Sequence, residues 1–241
     1  MSGTFRWKKH ADGMRHTNPL LRALVWCSRI RYRQGYGVHS PFAFNLITRV
    51  FYERWPYYAY QPLDALRHKL RSLRKQTNPA RVDKLLLRLA NYTQPCHILE
   101  LGTHSGLSAC YLASGCASKP LLTLDSTDQT LQGLFQNHPN IRHQAGEVGD
   151  LLSAFLTQHP QVGLVHFNSG VPQPAWMEQL LPHTSADSLF VIEGIHDNKA
   201  MLAWWNELKQ DPRTGISFDL YDLGLLFFDH NMYKQHYLIN F

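Results

Sequence analysis

The sequence ILELGTHSGLSA, at residues 98–109, decides the fold that the rest of the chain completes. It begins as a short apolar run, which predicts a buried strand, and then turns at Gly102 and Gly106. The small residues that follow favour a helix. A strand, a glycine turn and a helix in this order are typical of a nucleotide-type site at the carboxyl end of a parallel strand. Glycine allows the backbone to approach a ligand closely, and the N-terminus of the helix offers free N–H groups.

The remainder of the chain repeats this alternation of strand and helix. Strands are predicted at residues 96–101, 120–124, 141–145, 162–167 and 188–192, and helices at residues 105–117, 128–136, 150–158, 174–181 and 198–210. These repeats predict a doubly wound, mostly parallel α/β sheet that is covered on both faces. Residues 216–221 and 223–228 predict paired strands at an antiparallel C-terminal edge, and residues 236–241 predict a last strand.

The first 79 residues predict a basic helical extension, whereas residues 80–241 predict the α/β domain. Residues 1–88 hold 18 of the 24 Lys and Arg residues and four of the 18 Asp and Glu residues, a net charge of +14. The remaining residues carry −8, so the whole chain is +6. The positive region either forms a surface for RNA, another acidic partner or an anionic lipid, or docks on the acidic main domain. We expect the extension to cover the ligand site.

The composition is that of a globular protein, with 44% hydrophobic and 17% charged residues. The N-terminal residues lack the apolar stretch of a secretory signal, and no run approaches the roughly 20 apolar residues that a membrane helix needs. The four cysteines have no metal-ligand spacing. The sequence therefore predicts a cytoplasmic protein with reduced thiols.

The residues at the predicted strand ends are candidates for ligand binding, because ligands of doubly wound sheets lie beyond the carboxyl ends of the strands. Asp125 ends the second strand, and a carboxylate there can accept hydrogen bonds from both hydroxyls of a ribose. The glycines are spaced Gly-x-x-x-Gly and no lysine follows them, which argues against a phosphate-binding loop. A nucleoside cofactor without a phosphate is therefore favoured over a dinucleotide.

These residues resemble a known family. The stretch at residues 98–108 is similar to the first motif of class I S-adenosylmethionine-dependent methyltransferases, and its Glu-x-Gly-Thr-x-x-Gly-x-Ser form resembles the catechol/caffeoyl-CoA O-methyltransferase-like branch. The resemblance covers residues 80–228, and the segment GVHSPF at residues 37–42 resembles a bacterial group of such proteins. The resemblance implies O-methylation of a small molecule, with S-adenosyl-L-methionine as the cofactor.

The resemblance also implies roles for individual residues. Glu100 would orient the amino-acid end of the cofactor, Asp125 would bind the ribose hydroxyls, and Glu147 would lie near the adenine amino group. The glycine turn and the end of the fourth strand complete the implied cofactor set, which adds Gly102, Thr103, Ser105, Gly106 and Asn168.

The fourth and fifth strand ends depart from the family pattern. The fourth strand of relatives commonly ends in Asp, whereas Asn168 stands here. An Asp-Asn pair that binds magnesium in metal-dependent relatives is replaced by Glu193 and Gly194. Asn168 and Glu193 alone make a poor ligand set for a hard divalent cation, so the sequence predicts no metal site.

A general base assists transfer to a hydroxyl acceptor and is less useful for an acceptor that is already ionised. His196 and Glu193 are the first candidates because they follow the fifth strand on the functional rim. His166 and His39 are alternatives, although His166 precedes the strand end and is expected to point into the core.

A different class of function stays open. A chain that kept the fold and lost transfer activity would be a non-catalytic cofactor-binding or nucleic-acid-interacting module.

Overall fold

One sheet of eight strands forms the centre of the computed structural model, which describes residues 19–127 and 133–241. The strands are β1 (Ile98–Leu101), β2 (Leu121–Asp125), β3 (Ile141–Ala145), β4 (Leu164–Phe167), β5 (Leu189–Glu193), β6 (Ser217–Asp219), β7 (Leu223–Phe227) and β8 (His236–Leu238). They lie in the order β3-β2-β1-β4-β5-β7-β6-β8. The first five strands of this order are parallel, and β7 runs antiparallel to β5 and β6. The predicted parallel sheet with a closing antiparallel pair is therefore confirmed.

The last strand is shorter than predicted. β8 pairs in parallel with β6, and the chain leaves the sheet after residue 238. Asn240 instead donates its backbone N–H to the carbonyl of Tyr32 at 3.1 Å and its side-chain N–H to the carbonyl of Trp26 at 3.2 Å. The end of the strand is therefore set by contacts with the N-terminal helical region.

The described residues contain helices on both sides of the sheet. They are α1 (Pro19–Ser28), α2 (Pro41–Leu46), α3 (Tyr60–Ser72), α4 (Ala80–Thr93), α5 (Leu107–Gly115), α6 (Val148–Gln158), α7 (Pro174–Leu180) and α8 (Lys199–Gln210). A π-helical turn, Ile47–Phe51, continues α2, and 3-10 turns lie at Ile30–Tyr32 and Leu181–His183. The Ser40 hydroxyl accepts from the N–H of Ala43 at 3.3 Å and Pro41 occupies the first turn, which explains where α2 begins.

The two faces of the sheet have separate cores, because side chains alternate along each strand. On β1, Ile98 packs in the core formed with α2 to α5, whereas Leu99 packs in the core formed with α6 to α8. Leu46 of α2 and Leu63 of α3 belong to the first core. Two helices that precede residue 80, α2 and α3, therefore cover one face of the sheet. A domain boundary between residues 79 and 80 stays a prediction.

Of the helix predicted at residues 128–136, only residues 133–136 are described, and they are not helical. Residues 128–132 lie outside the described residues, and residues 133–136 form turns. Gly133 disfavours helix, and the Leu134 and Phe135 side chains lie against Gly106 of the glycine turn. A contact with a distant part of the chain thus overrides the local apolar pattern.

Candidate functional site

The glycine turn after β1 contains three residues with positive φ: Gly102 (+101°), His104 (+45°) and Gly106 (+74°). A Cβ at Gly102 would collide with the backbone oxygen of Asn168 at the end of β4, and the His104 ring hydrogen-bonds to that same oxygen. A Cβ at Gly106 would come within 2.5 Å of Leu134. The turn is therefore packed closely between the end of β4 and the segment that follows β2, and it requires glycine at both places.

Asp125 lies at the carboxyl end of β2, where its carboxylate holds the glycine turn. Oδ2 accepts hydrogen bonds from the backbone N–H groups of Thr103 and His104, both at 3.1 Å. Oδ1 accepts from the N–H and the hydroxyl of Thr127, at 3.0 and 3.1 Å. Burial raises the pKa of Asp125, but the hydrogen bonds from Thr127 and His104 outweigh burial and lower the pKa overall. Asp125 is therefore an anion whose two oxygens each accept two hydrogen bonds.

Other residues of the predicted cofactor set lie around the same corner of the sheet. Thr103 is buried, and Ser105 is partly exposed. Glu147 is exposed at the start of α6, where the neighbouring Gly146 donates its N–H to the backbone oxygen of Asp125 at 2.9 Å. The carboxyl ends of β1, β2 and β3 thus bring these residues together, and the backbone of Asn168 joins them from β4.

Glu100 is fully buried in β1, and its carboxylate contacts protein groups. Oε1 accepts from the hydroxyl of Ser108 and Oε2 from the hydroxyl of Thr123, both at 2.6 Å. In the sheet, Glu100 lies beside Thr123 on β2 and beside His166 on β4, so the three side chains project from the same face. Both Glu100 oxygens are therefore engaged within the fold, and the cofactor-orienting role that the resemblance implies stays a prediction.

His166 is fully buried, as expected, and both of its ring nitrogens face carboxylates. Nδ1 lies 3.1 Å from Oε1 of Glu100, and Nε2 lies 2.9 Å from Oε1 of Glu193. An imidazole donates to two acceptors only when both nitrogens carry a proton. Burial lowers the pKa of His166, but the hydrogen bonds to Glu100 and Glu193 outweigh burial and raise the pKa to about 10. His166 is therefore an imidazolium that bridges two strands.

Asn78, in the break between α3 and α4, extends these contacts into the N-terminal region. Its side-chain N–H group donates to Oε1 of Glu193 at 2.7 Å and to Oδ1 of Asp83 at 3.2 Å. Arg67 of α3 forms an ion pair with the other oxygen of Asp83 at 2.6 Å. We call the connected set the buried polar row, and it consists of Thr123, Glu100, His166, Glu193, Asn78, Asp83 and Arg67.

Sequence analysis missed Asn78 and Asp83 as site residues. Their only signal was an Asn-Pro break between two helices, which predicts a turn but not the strand that the turn contacts.

His196 lies after β5 and is held by a second group of charges. Its Nε2 is 2.8 Å from Oδ2 of Asp219, and its ring stacks on Tyr221 with centroids 5.0 Å apart. Arg29, which follows α1, forms an ion pair with Oδ1 of Asp219 at 2.8 Å. Burial raises the pKa of Asp219, but His196 and Arg29 outweigh burial and lower it to about 2. These contacts fix the His196 ring against an ionised carboxylate.

An open cleft of about 240 Å³ is lined in part by Arg29 and Tyr221, two residues whose side chains contact the His196 ring. Its other walls include Trp26, Arg81, Asn240 and Phe241. Within the described residues, no hydrogen bond or ion pair joins His196 to Glu193. The two predicted bases therefore belong to separate groups on the same rim.

The remaining candidates do not join these groups. His39 is exposed just before α2. Among residues 19–127 and 133–241, no group of three or more His, Cys, Asp or Glu side chains has the arrangement of a metal site.

Comparisons with known proteins identify the fold. No family model matches the sequence, and no curated protein matches it either. Among solved structures, the chain is similar to the SAH-bound methyltransferase PaMTH1 of Podospora anserina, with a TM-score of 0.59 and 13% identity, over 73% of this chain and 90% of that one.

Two bacterial structures show the same likeness. One is the O-methyltransferase of Bacillus cereus in complex with SAH, with a TM-score of 0.55 and 15% identity over 74% of this chain and 93% of that one. The other is the O-methyltransferase TomG of Streptomyces achromogenes, which is involved in tomaymycin synthesis and was solved in complex with SAM. Its TM-score is 0.54 and its identity 16%, over 82% of this chain and 96% of that one. The fold is therefore that of class I methyltransferases, as the sequence resemblance predicted.

No helix in the described part of the chain is long and apolar enough to span a membrane.

Proposed function

We propose that the chain is a cytoplasmic methyltransferase that uses S-adenosyl-L-methionine to methylate a hydroxyl group of a small molecule. The observation that carries the proposal is the corner at the ends of β1 and β2, where a glycine turn lies beside the anionic Asp125. The three solved structures named above hold SAM or SAH on the same fold, and the proposal extends that property to this chain.

The residues at this corner fit the cofactor. Oδ2 of Asp125 holds the turn through two backbone N–H groups, whereas Oδ1 is held only by Thr127. Thr127 and Leu134, which occupy the corner, both belong to the connection between β2 and β3. Ribose hydroxyls would therefore take the place of the Thr127 donors at Oδ1, while the turn keeps its shape. When bound, the cofactor supplies a methyl group that is activated by the positive charge on sulfur.

His196 is the base in this proposal. Nε2 of His196 lies 2.8 Å from Oδ2 of Asp219 and 3.2 Å from a guanidinium nitrogen of Arg29, and these two contacts fix the ring. In the tautomer that donates from Nε2 to the shorter contact, Asp219, Nδ1 carries a lone pair. Among the described residues Nδ1 has no hydrogen-bond partner, so it is available to take the proton of an acceptor hydroxyl. The adjoining cleft, with the aromatic walls Trp26, Tyr221 and Phe241, offers space for a small acceptor.

Calorimetric titration with S-adenosyl-L-methionine tests the cofactor assignment. We expect Asp125→Asn to weaken binding about 10- to 100-fold, because a hydrogen bond to a charged group contributes roughly 1.5–3 kcal/mol. Thr127→Val is the matched control, since it removes a competing donor at Oδ1 and keeps both contacts of Oδ2. Its affinity should equal or exceed that of the wild type.

Two outcomes would contradict parts of the proposal. Absence of any binding heat with the wild type would overturn the cofactor assignment. Binding without formation of SAH across a panel of phenols, catechols and sugars would favour the non-catalytic module instead.

We also propose that the basic N-terminal region contacts RNA or another acidic partner. Residues 13–52 contain no Asp or Glu, and Tyr32 and Tyr36 are exposed near the exposed Arg31. Exposed tyrosine rings stack on bases, and arginines bind phosphates. Gel-shift assays with a short single-stranded RNA should show binding that weakens steeply as salt rises. Absence of binding even at low salt would remove this part of the proposal.

A further inference from the structure

The buried polar row ends at the rim with one unbalanced negative charge. Its charged members are three carboxylates, Glu100, Glu193 and Asp83, and two cations, His166 and Arg67. Burial raises the pKa of Asp83 to about 6 although Arg67 opposes it, so Asp83 is still mainly ionised at neutral pH. Three negative and two positive groups leave the row with a single excess negative charge. Asp64, the other acid beside Arg67, has its own partner in Lys84 at 2.8 Å.

Only one carboxylate oxygen of the row has no hydrogen-bond donor among the described residues. Both oxygens of Glu100 and both oxygens of Asp83 accept hydrogen bonds. Oε1 of Glu193 accepts from His166 and Asn78, whereas nothing in the described part of the chain donates to Oε2. No Lys or Arg of that part forms an ion pair with Glu193, whose side chain is 12% exposed at the end of β5. The excess charge is therefore available to a ligand at the rim.

We propose that Glu193 is a fixed anion that binds the positively charged sulfur end of the methyl donor, and that His166 and Asn78 are the positioning residues that hold it. This inference rests on the proposed function. A sulfonium carries no N–H group, so its attraction to a carboxylate is electrostatic and is strongest where little water screens it. Glu193 therefore distinguishes a donor with charged sulfur from the product with neutral sulfur.

The two positioning residues, His166 and Asn78, both hydrogen-bond to Oε1 of Glu193, and they reach it from different layers of the fold. His166 reaches Oε1 from the sheet, and Asn78 reaches it from the turn between α3 and α4. Together they fix the carboxylate through Oε1, while Oε2 has no donor among the described residues. The geometry also assigns different roles to the two predicted bases, Glu193 and His196. Oε1 of Glu193 already accepts from His166 and Asn78, so the proposal gives the proton transfer to His196 and the binding of charge to Glu193.

Calorimetric titration of the full chain with SAM and, separately, with SAH tests the inference. Glu193→Gln keeps the shape of the side chain and an oxygen that can still accept from His166 and Asn78. We expect this variant to bind SAM about tenfold more weakly and to change its affinity for SAH less than about twofold. Glu207→Gln, which removes an exposed acid from α8, is the matched control and should leave both affinities unchanged.

The possible results separate the inference from the function on which it rests. Equal weakening of SAM and SAH by Glu193→Gln, or no change in either, would overturn the inference while leaving the cofactor assignment intact. If the wild type binds neither SAM nor SAH, the proposed function itself is overturned.

Two further measurements keep the inference testable if Glu193→Gln does not fold. Asn78→Ala removes one donor from a partly exposed position and should lower the preference for SAM over SAH about two- to threefold. Nitrogen NMR of the wild-type histidine rings should show both nitrogens of His166 protonated at pH 8. A neutral His166 ring at that pH would contradict its positioning role.

Discussion

The two halves of the rim are built in different ways. The corner at the ends of β1 and β2 consists of Gly102, Gly106 and Asp125, which lie within one strand-helix-strand unit. The half at the ends of β5 and β6 depends on the extension: Asn78 contacts Glu193 across 115 residues of sequence, and Arg29 contacts Asp219 across 190. The first half is therefore formed mainly within one motif, with the Asn168 backbone as a contact from β4, whereas the second is assembled from segments that lie far apart in sequence.

This difference matches where the chain follows its apparent relatives and where it departs from them. The glycine turn and Asp125 fit the sequence resemblance, whereas Asn168 and Glu193 stand where that resemblance leads us to expect aspartate metal ligands. Glu193, one of these two departures, is contacted by Asn78 from the N-terminal region.

The largest expected effect comes from breaking the assembled half at His166. His166→Phe leaves Glu100 and Glu193 without their shared cation, and loss of one partner from a buried ion pair lowers the free energy of unfolding by about 3–5 kcal/mol. His143→Phe is the matched control, because His143 lies beside Thr123 on β3 and its Nε2 has no partner in the described residues. Urea denaturation measures both. A loss no greater than that of the control would mean that the row contributes little to stability.

The next effect tests the local half at Gly102. Gly102→Ala forces an alanine to φ +101° and drives its Cβ into the Asn168 backbone oxygen, so we expect a loss of about 3 kcal/mol. Gly37→Ala separates the two causes, since Gly37 has φ +75° but open space around its Cβ, and it should lose only about 1 kcal/mol. Equal losses in urea denaturation would show that the turn tolerates a side chain, and that the local half is less tightly built than the structure indicates.

A third effect is spread over several pH units, so it is small within any one unit, and it concerns the charge of His166. Its pKa of about 10 in the folded chain lies above the ordinary 6.5, so its stabilising contribution is complete below pH 6.5 and is lost as the pH rises towards 10. In that window the unfolding free energy of the wild type should fall by roughly 1.4 kcal/mol per pH unit relative to His166→Phe. Parallel pH profiles of the two proteins would show that Glu100 and Glu193 do not hold a proton on this ring.

Much of the fold was predictable because its signals are short in range. The apolar run before Gly102 and the repeated alternation of strand and helix predicted the parallel sheet, and the closing strand pair predicted its antiparallel part. The segment at residues 133–136 was wrongly predicted as helix, because Leu134 and Phe135 pack on Gly106 instead of forming an amphipathic face. Local patterns fail where a contact with another part of the chain decides the backbone.

The site was predictable to a smaller extent. The sequence predicted that His166, a histidine within an apolar strand, points into the core. It did not predict that Glu100 and Glu193 are its partners. Glu100 and His166 meet because β1 and β4 are neighbours in the sheet, although β2 and β3 lie between them in sequence. No spacing in the sequence predicts that register.

The sequence by itself determined the glycine turn, the acid at the end of β2 and the class of fold, because backbone conformation and hydrophobic alternation act over a few residues. Tertiary structure alone decided that His166 joins Glu100 to Glu193, that Asn78 reaches the rim, and that His196 rests on Asp219 and Tyr221. The physical reason is the range of the forces involved. Buried charges stabilise a fold only when opposite charges and hydrogen-bond donors lie within about 3 Å, and only the packing of distant segments brings them that close.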